Sequence, residues 1–164
     1  MWRIFKTKKS FGVEVSVKYQ QEFLVSVKDE VLPLIENHFA EVYPARDTFE
    51  FDMDWDTYHS LEDVNLLRIF TARDGDRLVG YLWVVIAPNL CSKGHFIPSE
   101  DGLYVDPDYR GLSVAKKMIE FGEKCLKEDG YKVLCITGTE EKPIDNFVER
   151  MGYKKIETRF KKVL

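Results

Sequence analysis

The stretch Val105–Lys117 constrains the fold more than any other part of the chain. It reads Val-Asp-Pro-Asp-Tyr-Arg-Gly-Leu-Ser-Val-Ala-Lys-Lys. An apolar run is closed by Asp106-Pro107, where proline can no longer donate to a strand ladder. A turn rich in small residues then opens an amphipathic segment. Asp101–Val105 therefore reads as a short strand and Ser113–Asp129 as a helix, with Val114, Met118, Gly122, Cys125 and Leu126 on one face and Gly130 past its end. A strand feeding a helix through so short a connection points to a layered α/β arrangement. The first N–H groups of a helix lack internal acceptors and sit at the positive end of its dipole, so they bind phosphate without a side-chain charge. Small residues at Gly111, Ser113 and Ala115 let a diphosphate approach the backbone, and Arg110 adds charge at the mouth. The competing reading is an ordinary helix start, with Gly and Ser serving only to cap it.

Around this feature the chain reads β-α-α-β-β-β-α-β-α-β, without repeats or linkers, as one domain over residues 1–164. Residues 11–19 alternate Phe11, Val13, Val15 and Val17 with polar positions, which predicts a half-buried strand, and Trp2–Phe5 is a candidate edge strand before it. Phe23, Val27, Val31, Leu34, Ile35, His38, Phe39 and Val42 share one helical face over residues 22–42, with Pro33 expected to kink the helix or restart it. A short helix is expected from Asp54 to about Glu62. Leu66–Ala72 and Leu78–Ala87 flank the turn-rich Arg73–Arg77 as a hairpin, and residues 89–99 read as a loop. Downstream, Val133–Thr137 reads as a buried strand, Pro143–Met151 as a helix followed by Gly152, and Ile156–Val163 as a last strand.

Composition narrows the partners. Lys and Arg total 24 against 28 Asp and Glu, a net charge of −4, so nothing suggests a nucleic-acid partner. A mildly acidic chain that binds an anion must do so locally. Cys91, Cys125 and Cys135 are odd in number and form no C-x-x-C pair, which fits buried thiols in a reducing cytoplasm. The three histidines have no metal-ligand spacing, so no metal is expected. No apolar leader or run of about 18 apolar residues occurs, which predicts neither secretion nor a membrane span and places the chain in the cytoplasm.

The sequence Leu-Tyr-Val-Asp-Pro-Asp-Tyr-Arg-Gly-Leu-Ser-Val-Ala-Lys-Lys-Met-Ile-Glu-Phe resembles the coenzyme A motif of the GNAT N-acetyltransferase superfamily, Arg/Gln-x-x-Gly-x-Gly/Ala after a V-x-P strand end. Phe147–Tyr153 (Phe-Val-Glu-Arg-Met-Gly-Tyr) is similar to the family's closing helix, and the hairpin Thr71–Val85 to the strands before the motif; together these cover roughly residues 66–160. The acidic segment Phe51–Asp74 also resembles small acetyltransferase-like proteins of tailed phages. The resemblance implies a mixed, mostly antiparallel sheet splayed at its centre and flanked by about four helices, with acetyl-CoA as co-substrate. Arg110, Gly111, Leu112, Ser113, Val114 and Ala115 would hold the pyrophosphate. Leu103, Tyr104 and Val105 would offer strand backbone to the pantetheine, beside Val133–Thr137, and Asn146 would bond its amide. Two departures stand out. Ser113 replaces the first glycine, and Val148 occupies the position of the family's frequent tyrosine, the acid for the leaving thiolate. Tyr104, Tyr153 and Tyr58 are substitutes for it that the sequence does not rank.

On the acceptor side, the resemblance places a proton-accepting acid at Asp101, with Glu100 beside it; strand alternation sends the two to opposite faces. His38 lies on the apolar helix face and reads as a core or boundary residue, His59 falls in the short helix, and His95 in the preceding loop is a candidate acceptor-site residue. Glu41, Tyr43, Asp52, Asp54, Trp55 and Asp56 are candidate pocket walls whose acidity suits a cationic amine, either a small molecule or a protein lysine. The expected activity is acetyl transfer from acetyl-CoA to a primary amine by direct attack. The alternative is the same fold reused as a binding, inhibitor or virion module, motivated by Val148 and Ser113. A homodimer is left open.

Overall fold

The structure, a computed structural model, describes residues 3–8, 14–43, 46–140 and 142–164. Its strands are β1 (Arg3–Lys8), β2 (Glu14–Glu22), β3 (Leu67–Asp74), β4 (Arg77–Pro88) and β5 (Phe96–Val105), which form one antiparallel sheet in the order β1-β2-β3-β4-β5. Its helices are α1 (Leu24–Val42), α2 (Trp55–Asp63), α3 (Val114–Glu128) and α4 (Asp145–Arg150), and a 3-10 turn covers Pro107–Tyr109. No described helix is long and apolar enough to cross a membrane.

Strand β4 shows why the central sequence is apolar without interruption. Its Leu82, Val84 and Ile86 join Phe70, Ala72, Val114, Met118, Ile119 and Leu126 in a core beneath α3. Its Tyr81 and Trp83 join Leu24, Val27, Val31, Ile69 and Tyr104 in a second core beneath α1 and α2. A strand buried on both faces needs apolar residues at every position. Buried Arg68 is held by Asp129 just past α3, with Nη2 at 2.9 Å, and by the Asn65 and Leu67 carbonyls. Arg73 ties β3 to Glu22 of β2 and Glu30 of α1, each at 2.8 Å.

Several boundaries differ from expectation. Strand β2 runs on to Glu22, so α1 starts at Leu24 and Phe23 becomes its exposed N-cap; Phe11 and Val13 lie outside the described residues. The helix continues through Pro33 as one element. The hairpin turn is only Gly75-Asp76, because Arg73 and Asp74 pair with Leu78 and Arg77. The loop after β4 is shorter than expected: β5 begins at Phe96 and carries Pro98 opposite Ile86.

Two expected strands do not form. Val133–Thr137 is a single parallel bridge, Ser99 with Cys135, made by Glu100 N–H to the Cys135 carbonyl at 2.8 Å and Cys135 N–H to the Pro98 carbonyl at 3.0 Å. Beyond it the Thr137 N–H donates to the Glu100 carboxylate at 3.1 Å rather than to a backbone carbonyl, so the ladder stops there, and Val133 is half-exposed. This is where the sheet splays. Ile156–Val163 forms no strand either, and Ile156, Phe160 and Val163 stand exposed. Among the described residues no second strand pairs along β5, so the C-terminal alternation has no ladder to join there.

Candidate cofactor groove and acceptor site

The turn between β5 and α3 takes the form its small residues allow. Gly111 has φ 77° with open space where a Cβ would stand. Ser113, the N-cap of α3, has φ 60° and ψ 18° and makes no side-chain cap bond. The left-handed conformation explains why glycine is the usual choice at this position. The first intrahelical bond runs from Lys117 N–H to the Ser113 carbonyl at 3.0 Å, which leaves the preceding N–H groups at the mouth of the turn.

These residues line a cavity of about 680 Å³ with Val105, Lys116, Phe147, Arg150 and Met151. Backbone N–H groups and the cationic Lys116 and Arg150 form a donor set that fits an anionic diphosphate. Arg110 lines the cavity too, but its guanidinium is engaged elsewhere. Nε donates to the Val105 carbonyl at 2.9 Å, Nη2 to both Glu41 oxygens at 3.0 Å, and the group lies 5.0 Å from the Tyr104 ring centre. Glu41 also accepts from Lys142 at 2.7 Å and the Tyr104 hydroxyl at 3.1 Å. Hydrogen bonds from Arg110 and Lys142 push its carboxyl down to about 2. Leu112 packs against the core beneath α3, and Val114 and Ala115 form the first turn of the helix. Asn146 is exposed on α4 and does not line the cavity.

Past Glu100, residues 101–105 of β5 have β4 on one side and no paired strand on the other among the described residues. Within this edge the register slips: Trp83 faces Gly102 and Val84 faces Glu100, so Asp101 is the extra residue of a β-bulge. The two carboxylates diverge. Asp101 is exposed and accepts the Tyr58 hydroxyl of α2 at 2.6 Å. Glu100 stays at the splay, where burial pushes its carboxyl up to about 7 despite the Thr137 N–H.

The face above Asp101 is aromatic. Tyr58 and Trp55 meet Trp83 edge-on at 4.8 and 6.4 Å, and Lys28 Nζ stands 4.9 Å from the Trp55 ring centre. Trp83 Nε1 is buried without a hydrogen-bond partner. His38 joins this face: its Nδ1 is 2.7 Å from the Tyr81 hydroxyl. Tyr43 caps α1 and stacks on Phe39 at 4.7 Å. Asp54 is the N-cap of α2, its carboxylate taken by Thr57. His95 bonds within its own loop, to Ser92 Oγ at 3.2 Å and the Lys93 carbonyl at 3.3 Å. Of the substitute tyrosines, Tyr58, Tyr104 and Tyr153 all donate to carboxylates, Tyr153 to Glu123 of α3 at 2.6 Å. Lys116, Arg150, Tyr81 and Trp83 carry no sequence signal beyond helical or strand periodicity, which does not separate a groove wall from a core position, and His38, expected at the core or its boundary, is half-buried.

Residues 32–153 match the sequence model of the Acetyltransferase (GNAT) family. The chain belongs to that family. No curated protein sequence matches it. Among solved structures, this GNAT chain is similar to an aminoglycoside acetyltransferase from an uncultured soil metagenomic sample (TM-score 0.68, 15% identity, 90% of this chain and 96% of that one). It is also similar to glucosamine-6-phosphate N-acetyltransferase from Arabidopsis thaliana (0.68, 15%, 90% and 97%). A third is a predicted acetyltransferase from Clostridium acetobutylicum solved with acetyl-CoA (0.66, 14%, 90% and 96%). These likenesses show that the GNAT fold is shared.

Proposed function

We propose that this GNAT chain is an acetyl-CoA-dependent N-acetyltransferase acting on a cationic primary amine. The observation that carries the reading is the pairing of one groove with one edge: a cationic, N–H-rich cavity at the start of α3 opens beside the unpaired edge of β5, where the bulged Asp101 stands under an aromatic face. Acetyl-CoA would supply an activated acyl group as a thioester. The Ser113–Lys116 backbone, Lys116 and Arg150 would hold its phosphates, and the edge at Leu103–Val105 its pantetheine. Asp101, oriented by Tyr58, would receive the acceptor ammonium and take a proton from it directly or through water. Glu100, half-protonated near neutral pH, would hold the splay beside the reacting carbon. Trp55, Trp83 and Tyr58 would wall the acceptor, and an aminoglycoside and an amino sugar phosphate, the amines named for two similar structures, are of this chemical kind.

Calorimetry with acetyl-CoA, followed by a free-thiol assay over a panel of primary amines, tests the reading. Binding and thiol release are the expected result; the absence of binding at millimolar acetyl-CoA sinks it. Val148, which cannot donate a proton, favours a second reading as a binding module. Cofactor binding without turnover on any amine is the result that reading predicts.

A further inference from the structure

At the aromatic face proposed for the acceptor lies a second pair of proton-holding groups besides Asp101 and Tyr58: half-buried His38 and buried Tyr81. His38, near the end of α1, approaches Tyr81 of β4 with Nδ1 2.7 Å from the hydroxyl. Its ring stacks on Tyr104 at 5.3 Å and tilts against Tyr81 at 5.9 Å. Beneath the pair lies Gly102, next to the bulged Asp101. A Cβ at Gly102 would stand 3.1 Å from the Tyr81 ring, tighter than ordinary contact, and 3.8 Å from His38 Cε1 and Nδ1, so the bare backbone of Gly102 lets the pair lie close on the strand where the acyl group is proposed to sit. The neighbouring Tyr58 and Tyr104 donate their protons to carboxylates. Tyr81 instead faces an imidazole, which can take a proton and give it back. Burial favours the neutral ring; Glu41 and Asp101 favour the charged form, and Arg110 and Lys142 oppose it. The remaining groups against the ring are the Tyr81 and Tyr104 side chains.

We propose that Tyr81 and His38 form a proton relay for acyl transfer, with the Tyr81 oxygen meeting the acceptor nitrogen and His38 Nδ1 receiving the phenolic proton. The proposal rests on the acetyltransferase reading above. As the neutral amine nitrogen bonds to the acetyl carbon, its proton passes to Tyr81 and the phenolic proton to Nδ1. The carbon–sulfur bond breaks with its electron pair left on sulfur. The imidazolium, faced by Glu41 and Asp101, returns the proton through Tyr81 to the thiolate, and the pair ends as it began. The products are an amide and a free thiol, and no further reactant is needed. The relay supplies the proton that Val148 cannot. It requires the Nε2–H tautomer at rest.

Nitrogen-15 histidine NMR and kinetics on putrescine, spermidine and Nα-acetyl-lysine test it together. Nδ1 of His38 is expected unprotonated at rest, and saturating acetyl-CoA is expected to move the His38 ring signals. His38→Gln and Tyr81→Phe should each lower kcat about a hundredfold with the Kd for acetyl-CoA unchanged, and the double variant should be no worse than either. Because the relay needs a neutral ring, wild-type kcat falls as pH drops through the His38 pKa, below the ordinary 6.5, and this limb disappears in both variants. His38→Gln, at a partly exposed position, keeps the comparison readable if Tyr81→Phe does not fold. Ring signals indifferent to acetyl-CoA, or variants with wild-type kcat and an intact acid limb, overturn the relay. A wild-type protein that binds acetyl-CoA yet releases no thiol with these amines overturns the acyl-transfer reading for them and the relay with it, whereas variants with wild-type kcat overturn the relay alone.

Discussion

At the scale of single residues, Glu100 and Ser113 are held away from their ordinary states. Glu100 has its carboxyl raised from 4.5 to about 7 by burial. A carboxyl raised in the folded state binds protons more tightly there than in the unfolded chain. Its contribution to stability is therefore complete below about pH 4.5 and lost as pH rises through 7. Glu100→Gln should stabilise the protein at pH 8, by at most about 3 kcal/mol, and change little at pH 4; urea titrations at the two values measure this. Ser113 holds a left-handed conformation without a cap bond to offset it. Ser113→Gly should add roughly 1 kcal/mol and leave acetyl-CoA binding intact, whereas Ser113→Val should lower both stability and affinity. The motif around Ser113 was legible because left-handed turns select glycine and small residues locally. Glu100 was visible as an acid, but its raised carboxyl was not, since that depends on how residues 133–137 part from β5.

Among the elements, α3 is the one most directly read from sequence: Val114, Met118, Gly122 and Leu126 are buried as their spacing requires. Its attachment to the sheet was not visible. Arg68, nearly fully buried on β3, relies on Asp129 just beyond the helix. Asp129→Ala should cost about 1–3 kcal/mol by stranding that guanidinium, while Arg68→Met, similar in volume and apolar, should cost less; thermal melts compare the two. Helix α1 shows a different limit. Its apolar face is as predicted at Val27, Val31, Leu34 and Ile35, yet the same stripe continues into half-buried His38, which meets the core through a polar contact, Nδ1 against the Tyr81 hydroxyl. Helical period marks a face, and what covers that face along its length is decided by the sheet beneath.

For the molecule as a whole, cofactor binding should act as a stabilising ligand. At acetyl-CoA a hundredfold above Kd, unfolding should cost about 2.7 kcal/mol more, read as a rise in melting temperature. Arg150→Glu, which reverses a charge on the groove wall, should weaken binding at least about tenfold and shrink that rise. By itself, the sequence determined the alternation of strands and helices over most of the chain, the hairpin of β3 and β4, and the small-residue turn that opens α3. Each of these is set by residues near in sequence, through period, proline and small side chains. Tertiary structure alone decided three things. It ended the ladder beside β5 at Cys135, left Ile156–Val163 out of the sheet, and drew Glu41, Arg110 and Lys142 into one cluster. The reason is common to all three: a ladder or an ion pair exists only where distant segments meet, and local preference does not carry that information.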